Sequence, residues 1–209
     1  MSTNVAEGSN KKPIAPWQLA GLAVLATLWG LSEMLGGPTL RLTATALVIL
    51  AVARIVLNVP GTSLALAGIA VLFRSVNAAP HHCHLVGIGL LGAAFDVTAT
   101  LLIRQSRHPL LRCALTGATA ALLSALLFAA TMTWVVRFRS WPEGGLERVG
   151  EHVLASGGPA AMLGLVLVPA GVLLGHRLTQ IATRHPRQML AATATGCVVL
   201  WALGPFVSI

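Results

Sequence analysis

Seven long apolar blocks, separated by short polar or turn-forming stretches, run through this chain. They fall at residues 16–36, 39–59, 62–77, 81–103, 110–136, 158–181 and 188–207. A helix needs about 20 apolar residues to cross about 30 Å of hydrocarbon. The fold class this dictates is all-α: a polytopic transmembrane helical bundle of six to seven spans. Residues 1–15 form a polar N-terminal tail ahead of a single transmembrane bundle over 16–209. Composition closes off the alternatives. Hydrophobic residues make up 56% of the 209 and charged residues 10%, where a soluble domain carries about 25% charge. So much apolar material excludes disorder, and charge so sparse would not cover a soluble surface.

The block boundaries carry their own signals. Lys11 and Lys12 precede the first block as they would in a signal peptide. That block, however, ends in Trp29, Glu33 and Gly36 with no small-residue cleavage site, so a retained helix is expected. The second block stops at Pro60–Gly61, a turn signal. The third is the shortest and carries Arg74. Residues 137–157 are polar and hold Glu143, Glu147 and Glu151.

The net charge of +8 does not point to nucleic acid. Its 14 Lys and Arg are scattered between apolar blocks, without a basic stripe or interleaved aromatics, and Tyr is absent. In a membrane protein such charge orients the chain. A cytoplasmic N-terminus puts Lys11, Lys12, Arg54, Arg104, Arg107, Arg112, Arg177, Arg184 and Arg187 inside. Arg41, Arg74, Arg137, Arg139 and Arg148 then lie outside. The expectation is an integral protein of the inner or plasma membrane with its N-terminus in the cytoplasm. Cys83, Cys113 and Cys197 form no CxxC pair and imply no disulfide framework.

Charged groups inside spans cost about 2.5–3.5 kcal/mol at mid-helix, so each is a candidate functional residue. Glu33, Arg41, Arg54, Arg74 and Asp96 make up this set. With the N-terminus inside, Glu33, Arg41, Arg74 and His81 to His84 all reach the outer face. Glu33, Arg41, Arg74, His81, His84 and Asp96 are therefore the candidate substrate-binding residues. Asp96 lies about 18 Å below His84 at 1.5 Å per residue, too deep to share a site without a long ligand. It would pair with Arg54 if that side chain reached up from the inner side. A buried acid held by Thr or backbone and a proton-coupling group are the readings of Asp96.

Pro80 suits the first position of a helix, and His81, His82, Cys83 and His84 follow it. Partial positive charge at a helix start keeps such histidines neutral, and neutral imidazole and thiolate are metal ligands. His81 and His84 share a helix face and His82 points elsewhere. Three readings stand for these four residues: interfacial side chains bound to water or headgroups, contact with substrate or haem, and a metal site completed by Glu33 or another span.

Small residues write the helix contacts. Gly171 and Gly175 form a GxxxG motif, with Ala160 and Gly164 on the same face. Gly117, Ala121, Ala125 and Ala129 recur at four-residue spacing in the fifth block. Such stripes serve either packing within the bundle or docking of a partner subunit through the fifth span. Ala155–Ser156–Gly157–Gly158 is similar to the nucleophile region of rhomboid proteases, but the seventh block offers no histidine partner. No Walker A, GxGxxG or HExxH motif is present, and no enzymatic activity is expected.

Leu28–Trp29–Gly30–Leu31–Ser32–Glu33–Met34–Leu35–Gly36 resembles the opening helix of small membrane proteins related to the substrate-binding S components of energy-coupling-factor (ECF) transporters. Those members carry a similar W-G-x-x-E-x-x-x-G segment. The stretch Leu66–Ala67–Gly68–Ile69–Ala70, and Asn77 to Asp96 with its Pro-x-x-Cys-His helix start, extend the resemblance over about the first hundred residues. It implies a compact bundle of about six helices that binds a vitamin, metal or other micronutrient from outside. A transmembrane coupling subunit and ATPases would then drive its transfer inward. Glu33 and the His81–His84 segment would line the cavity. This chain departs in having seven apolar blocks. Its cleanest Ala-x-x-x-Ala face also lies in the fifth, whereas the first offers only Ala26-x-x-x-Gly30. The partners expected are thus the lipid bilayer, a small-molecule ligand and those transport subunits. The alternative functions are a metal- or haem-binding membrane protein and a non-catalytic membrane assembly subunit.

Overall fold

The computed structural model describes residues 14–77, 82–103 and 109–207, and these form eight α-helices. They are α1 (Pro16–Met34), α2 (Thr39–Val56), α3 (Thr62–Asn77), α4 (His82–Leu102), α5 (Pro109–Ala130), α6 (Trp141–His152), α7 (Gly158–Arg184) and α8 (Pro186–Val207). Five-residue π-helical turns extend α5 (Thr131–Val135) and join α6 to α7 (Val153–Gly157). No strand occurs among the described residues. Five helical stretches are long and apolar enough to cross a membrane: α2, α4, α5 with its π turn, α6–α7, and α8. The all-α polytopic bundle expected from the apolar blocks is the observed architecture.

The direction of the short α3 follows from its neighbours. Gln18, near the start of α1, donates to the Val56 carbonyl at the end of α2 (2.7 Å), so these two helices are antiparallel. The α3 start at Gly61 and Ser63 meets Asp96, well down α4. α2 and α4 thus run the same way, and α3 must bring the chain back. At 16 residues it rises about 24 Å, a little short of the hydrocarbon thickness. The bundle therefore has two ends, one marked by Glu33 and the other by Asp96.

Six helices close a ring in the order α1, α3, α4, α5, α7, α2 and back to α1. α8 lies outside it, packed mainly on α1, with 6% of its most apolar stretch buried. Trp201 fastens it there by donating to the Thr27 hydroxyl (3.1 Å) and by an edge contact with Phe73 at 5.0 Å. Large side chains from three ring helices, Trp29, Phe73 and Phe95, are fully buried.

The ring's closest seams are made by glycine. A Cβ on Gly171 would sit 2.8 Å from Ala51 Cβ and 2.9 Å from the Val48 oxygen of α2. A Cβ on Gly117 would meet the Gly164 backbone of α7. Without a hydrophobic drive between helices in lipid, such backbone approach supplies the packing. This settles the two readings of the fifth-block stripe. Gly117, Ala121, Ala125 and Ala129 are buried, and the stripe faces α7 and its preceding π turn rather than a docked subunit.

Residues 137–157, a polar interval in the sequence, fold as α6 and the π turn that feeds α7. The chain reaches α6 through a tight reversal in which Arg137 and Arg139 take positive φ (52° and 50°), uncommon for residues with a side chain.

Candidate functional site

A cavity of about 510 Å³ opens at the Glu33 end of the ring. Every ring helix except α3 contributes to it, as does the π turn before α7. Its walls are largely apolar, with Leu42, Ile88, Leu91, Ala121, Ala125, Phe128 and Ala160 among them. Polar groups join them from several elements: Glu33 from α1, Thr39 and Thr43 from α2, Cys83 and His84 from α4, Ser124 from α5, and His152 and Ser156 from beyond. An apolar cavity with a few placed polar groups is the usual form of a small-molecule site.

Glu33 is the most constrained of these. Its side chain is 8% exposed. Trp29 lies one helical turn earlier on the same face, and its indole N–H donates to Glu33 Oε1 at 3.3 Å. Arg74 from α3 places Nη1 3.6 Å from Oε2 and also donates to the Glu33 backbone carbonyl. His84 Nδ1 lies 4.0 Å from Oε2. Three helices therefore converge on one carboxylate. Buried charge is tolerated when it is paired in this way.

The sequence-derived candidates separate into groups. Glu33 and His84 line the cavity together. Arg74 touches Glu33 from behind and is not part of the wall. Arg41 belongs to the same end but folds back to donate to the Gly36 carbonyl, closing the α1–α2 turn, and does not reach the cavity. Asp96 lies at the opposite end. It accepts from the Gly61 N–H (2.7 Å) and the Ser63 N–H (3.1 Å) and pairs with Arg54 at 3.5 Å. There it caps the start of α3 and takes no part in the cavity, a half-buried acid with its partners in place.

Of the four residues in the His81–His84 segment, His81 lies outside the described residues. His82 is exposed and absent from the wall, and Cys83 and His84 line it. Among the described residues no group of three or more His, Cys, Asp or Glu could hold a metal ion. Among the described residues of the HHCH segment, Cys83 and His84 reach the cavity and His82 does not.

Sequence reasoning missed His152 and noted Ser156 only within a protease-like segment. They are four residues apart in a polar stretch with no apolar period to place them. The π turn widens the helix there and turns Ser156 and Gly157 toward Ala125 and the cavity. Phe128, Trp141 and His152 form an aromatic cluster with centroids 5.3–5.9 Å apart, which holds α6 against α5. Trp29 was visible within a motif, and its spacing of four residues from Glu33 was the available clue.

No protein-family model, characterised protein or solved structure matches this chain. The fold and cavity define an all-helical membrane protein with a ligand-sized chamber at one end of its bundle.

Proposed function

We propose that this protein is a membrane-embedded substrate-capture subunit of a micronutrient uptake transporter, taking its ligand from the outer face. The observation that carries the reading is the chamber itself. It is about 510 Å³, walled mainly by apolar side chains, and has a buried carboxylate held on three sides. That volume falls in the range of about 300–1,000 Å³ typical of small-molecule pockets. The six-helix ring is what a resemblance to ECF S components leads one to expect, with α8 added outside it. The orientation expected from the charge pattern, with nine Lys or Arg inside and five outside, would turn the chamber outward. In this reading the protein binds and hands over, a coupling subunit and ATPases supply the energy, and no bond is made or broken here.

The test is to purify the protein in lipid nanodiscs, release what co-purifies and identify it by mass spectrometry and elemental analysis. A near-stoichiometric organic molecule is expected, lost when Thr43 in the cavity wall is replaced by Trp. A preparation that carries no ligand and binds no micronutrient, haem or metal would overturn the proposal. Bound metal that survives filling of the cavity would favour the metal-binding alternative. A co-purifying membrane partner without any ligand would favour the assembly subunit.

A further inference from the structure

The charge on the cavity wall restricts what can bind there. Among the described residues, Glu33 is the only Asp, Glu, Lys or Arg in the lining. Two arginines close to Glu33 are committed elsewhere. Arg74 sits behind Glu33, with Nη1 on its carboxylate and its backbone carbonyl. Arg41 is folded onto the Gly36 carbonyl. His84 and His152 add imidazoles to the wall, and Cys83 a thiol.

Glu33 itself has acceptor capacity to spare. A carboxylate offers about four lone-pair sites. Its contacts to Trp29, Arg74 and His84 are 3.3, 3.6 and 4.0 Å, against about 2.7–2.9 Å for a charge-assisted hydrogen bond. A side chain more than nine-tenths buried is thus loosely partnered on the protein side and open to the chamber. The N-termini of α2 and α4 lie at the same end, and their partial charges ease the carboxylate's burial. They supply no full positive charge.

We infer that, if the chamber captures substrate as proposed above, its substrate is neutral or cationic, with an apolar body and a hydrogen-bond-donating head that docks on Glu33. Carboxylates and phosphates are rejected. An anionic head would stand near Glu33 in a low-dielectric chamber with no Lys or Arg in its described lining to meet it, and like charges repel strongly there. An amine or amidine head would complete the carboxylate's hydrogen bonding, while the aromatic and aliphatic wall buries the rest of the ligand. The selection acts by sign at one end and by shape at the other.

Three probes of one shape separate charge from shape: 9-aminomethylanthracene, 9-anthracenemethanol and 9-anthracenecarboxylate. Binding would be read by fluorescence in phosphatidylcholine nanodiscs, with empty discs subtracted, at about pH 8 so that ordinary imidazoles are neutral. The amine is expected to bind about tenfold or more tighter than the carboxylate, the scale of one charge-assisted hydrogen bond, with the alcohol between them. Thr43→Trp should abolish binding of all three.

Glu33→Gln should bring amine and alcohol to within about threefold of each other, since only the charge is removed. That variant leaves Arg74 buried without its partner and is the one at risk of misfolding. The double variant Glu33→Gln/Arg74→Gln removes both charges and gives the same readout. A carboxylate that binds as tightly as the amine, or an amine preference that survives in the folded double variant, overturns the inference and leaves substrate capture standing. Identification of a co-purified anionic ligand does the same. No Thr43→Trp-sensitive binding by any probe, together with a ligand-free preparation, removes both.

Discussion

Two acids set within the bundle answer opposite needs. Glu33 is loosely held and faces a chamber. Asp96 is tightly held and faces nothing else: two backbone N–H groups and Arg54 occupy its oxygens. Arg54 is 3% exposed and also donates to the Val59 carbonyl and the Thr100 hydroxyl. The pair closes the α2–α3 turn against α4. Removing one partner of a buried pair costs about 3–5 kcal/mol, because the other charge is left uncompensated. The two partners are not equivalent, however. Asp96 keeps two backbone donors and a side chain 15% exposed if Arg54 is lost, whereas Arg54 keeps only neutral acceptors if Asp96 is lost. Asp96→Ala is therefore expected to lower the thermal unfolding midpoint in detergent clearly more than Arg54→Met. Neither change should alter the charge preference of the chamber. Equal losses, or an altered preference, would place Asp96 in the binding machinery after all. From sequence alone both acids looked alike, since each is a charge in an apolar block. Only the distance along α4 separated Asp96 from His84, and no spacing rule reveals that a residue caps another helix.

Single helices were legible where lipid dictates them. A crossing segment must be apolar over about 20 residues, so the blocks at 39–59 and 81–103 mark α2 and α4 closely. The observed ends differ by a few residues where turn chemistry intervenes, as at Pro186, which starts α8 ahead of the expected 188. α6 was not legible. Its Gly144, Gly145 and three glutamates give neither an apolar stripe nor a polar linker signature. Its placement depends on Phe128, Trp141 and His152 meeting in space. The glycine seams were readable as motifs but not as to partner. α7 uses Gly171 against α2 and Gly164 against α5, so one helix ties two sides of the ring. Gly171→Ala should lower the unfolding midpoint, because overpacking a close seam costs about 1–3 kcal/mol. Gly89→Ala is the control. It has open space around the added methyl, and in a helix interior alanine is favoured over glycine by about 1 kcal/mol, so its midpoint should hold or rise. A harmless Gly171→Ala would show that the α2–α7 seam does not carry the packing assigned to it.

At the scale of the whole molecule, direction and charge act together. α2, α4 and α7 run from the Glu33 end to the Asp96 end, and α1, α3, α5 and α8 run back. The parallel contacts of Gly171 with Val48 and Gly175 with Val52 fix α7 to the sense of α2. With seven traverses the start of α1 and the end of α8 lie at opposite ends of the bundle. Arg54, Arg112, Arg184 and Arg187 gather at the Asp96 end, while α6 and its three glutamates gather at the other. Basic residues are retained on the cytoplasmic side, so α6 and the chamber should face outward. Cysteine labelling checks this in intact cells, in a background where Cys83, Cys113 and Cys197 are replaced by Ala. Glu147→Cys on the exposed face of α6 should react with a membrane-impermeant maleimide at once. Arg187→Cys at the start of α8 should react only after permeabilisation. Labelling of both from one side would remove α3 or another helix from the crossing set. The reverse pattern would keep the seven traverses but turn the chamber toward the cytoplasm, and a subunit that captures nutrients from outside could not work that way round.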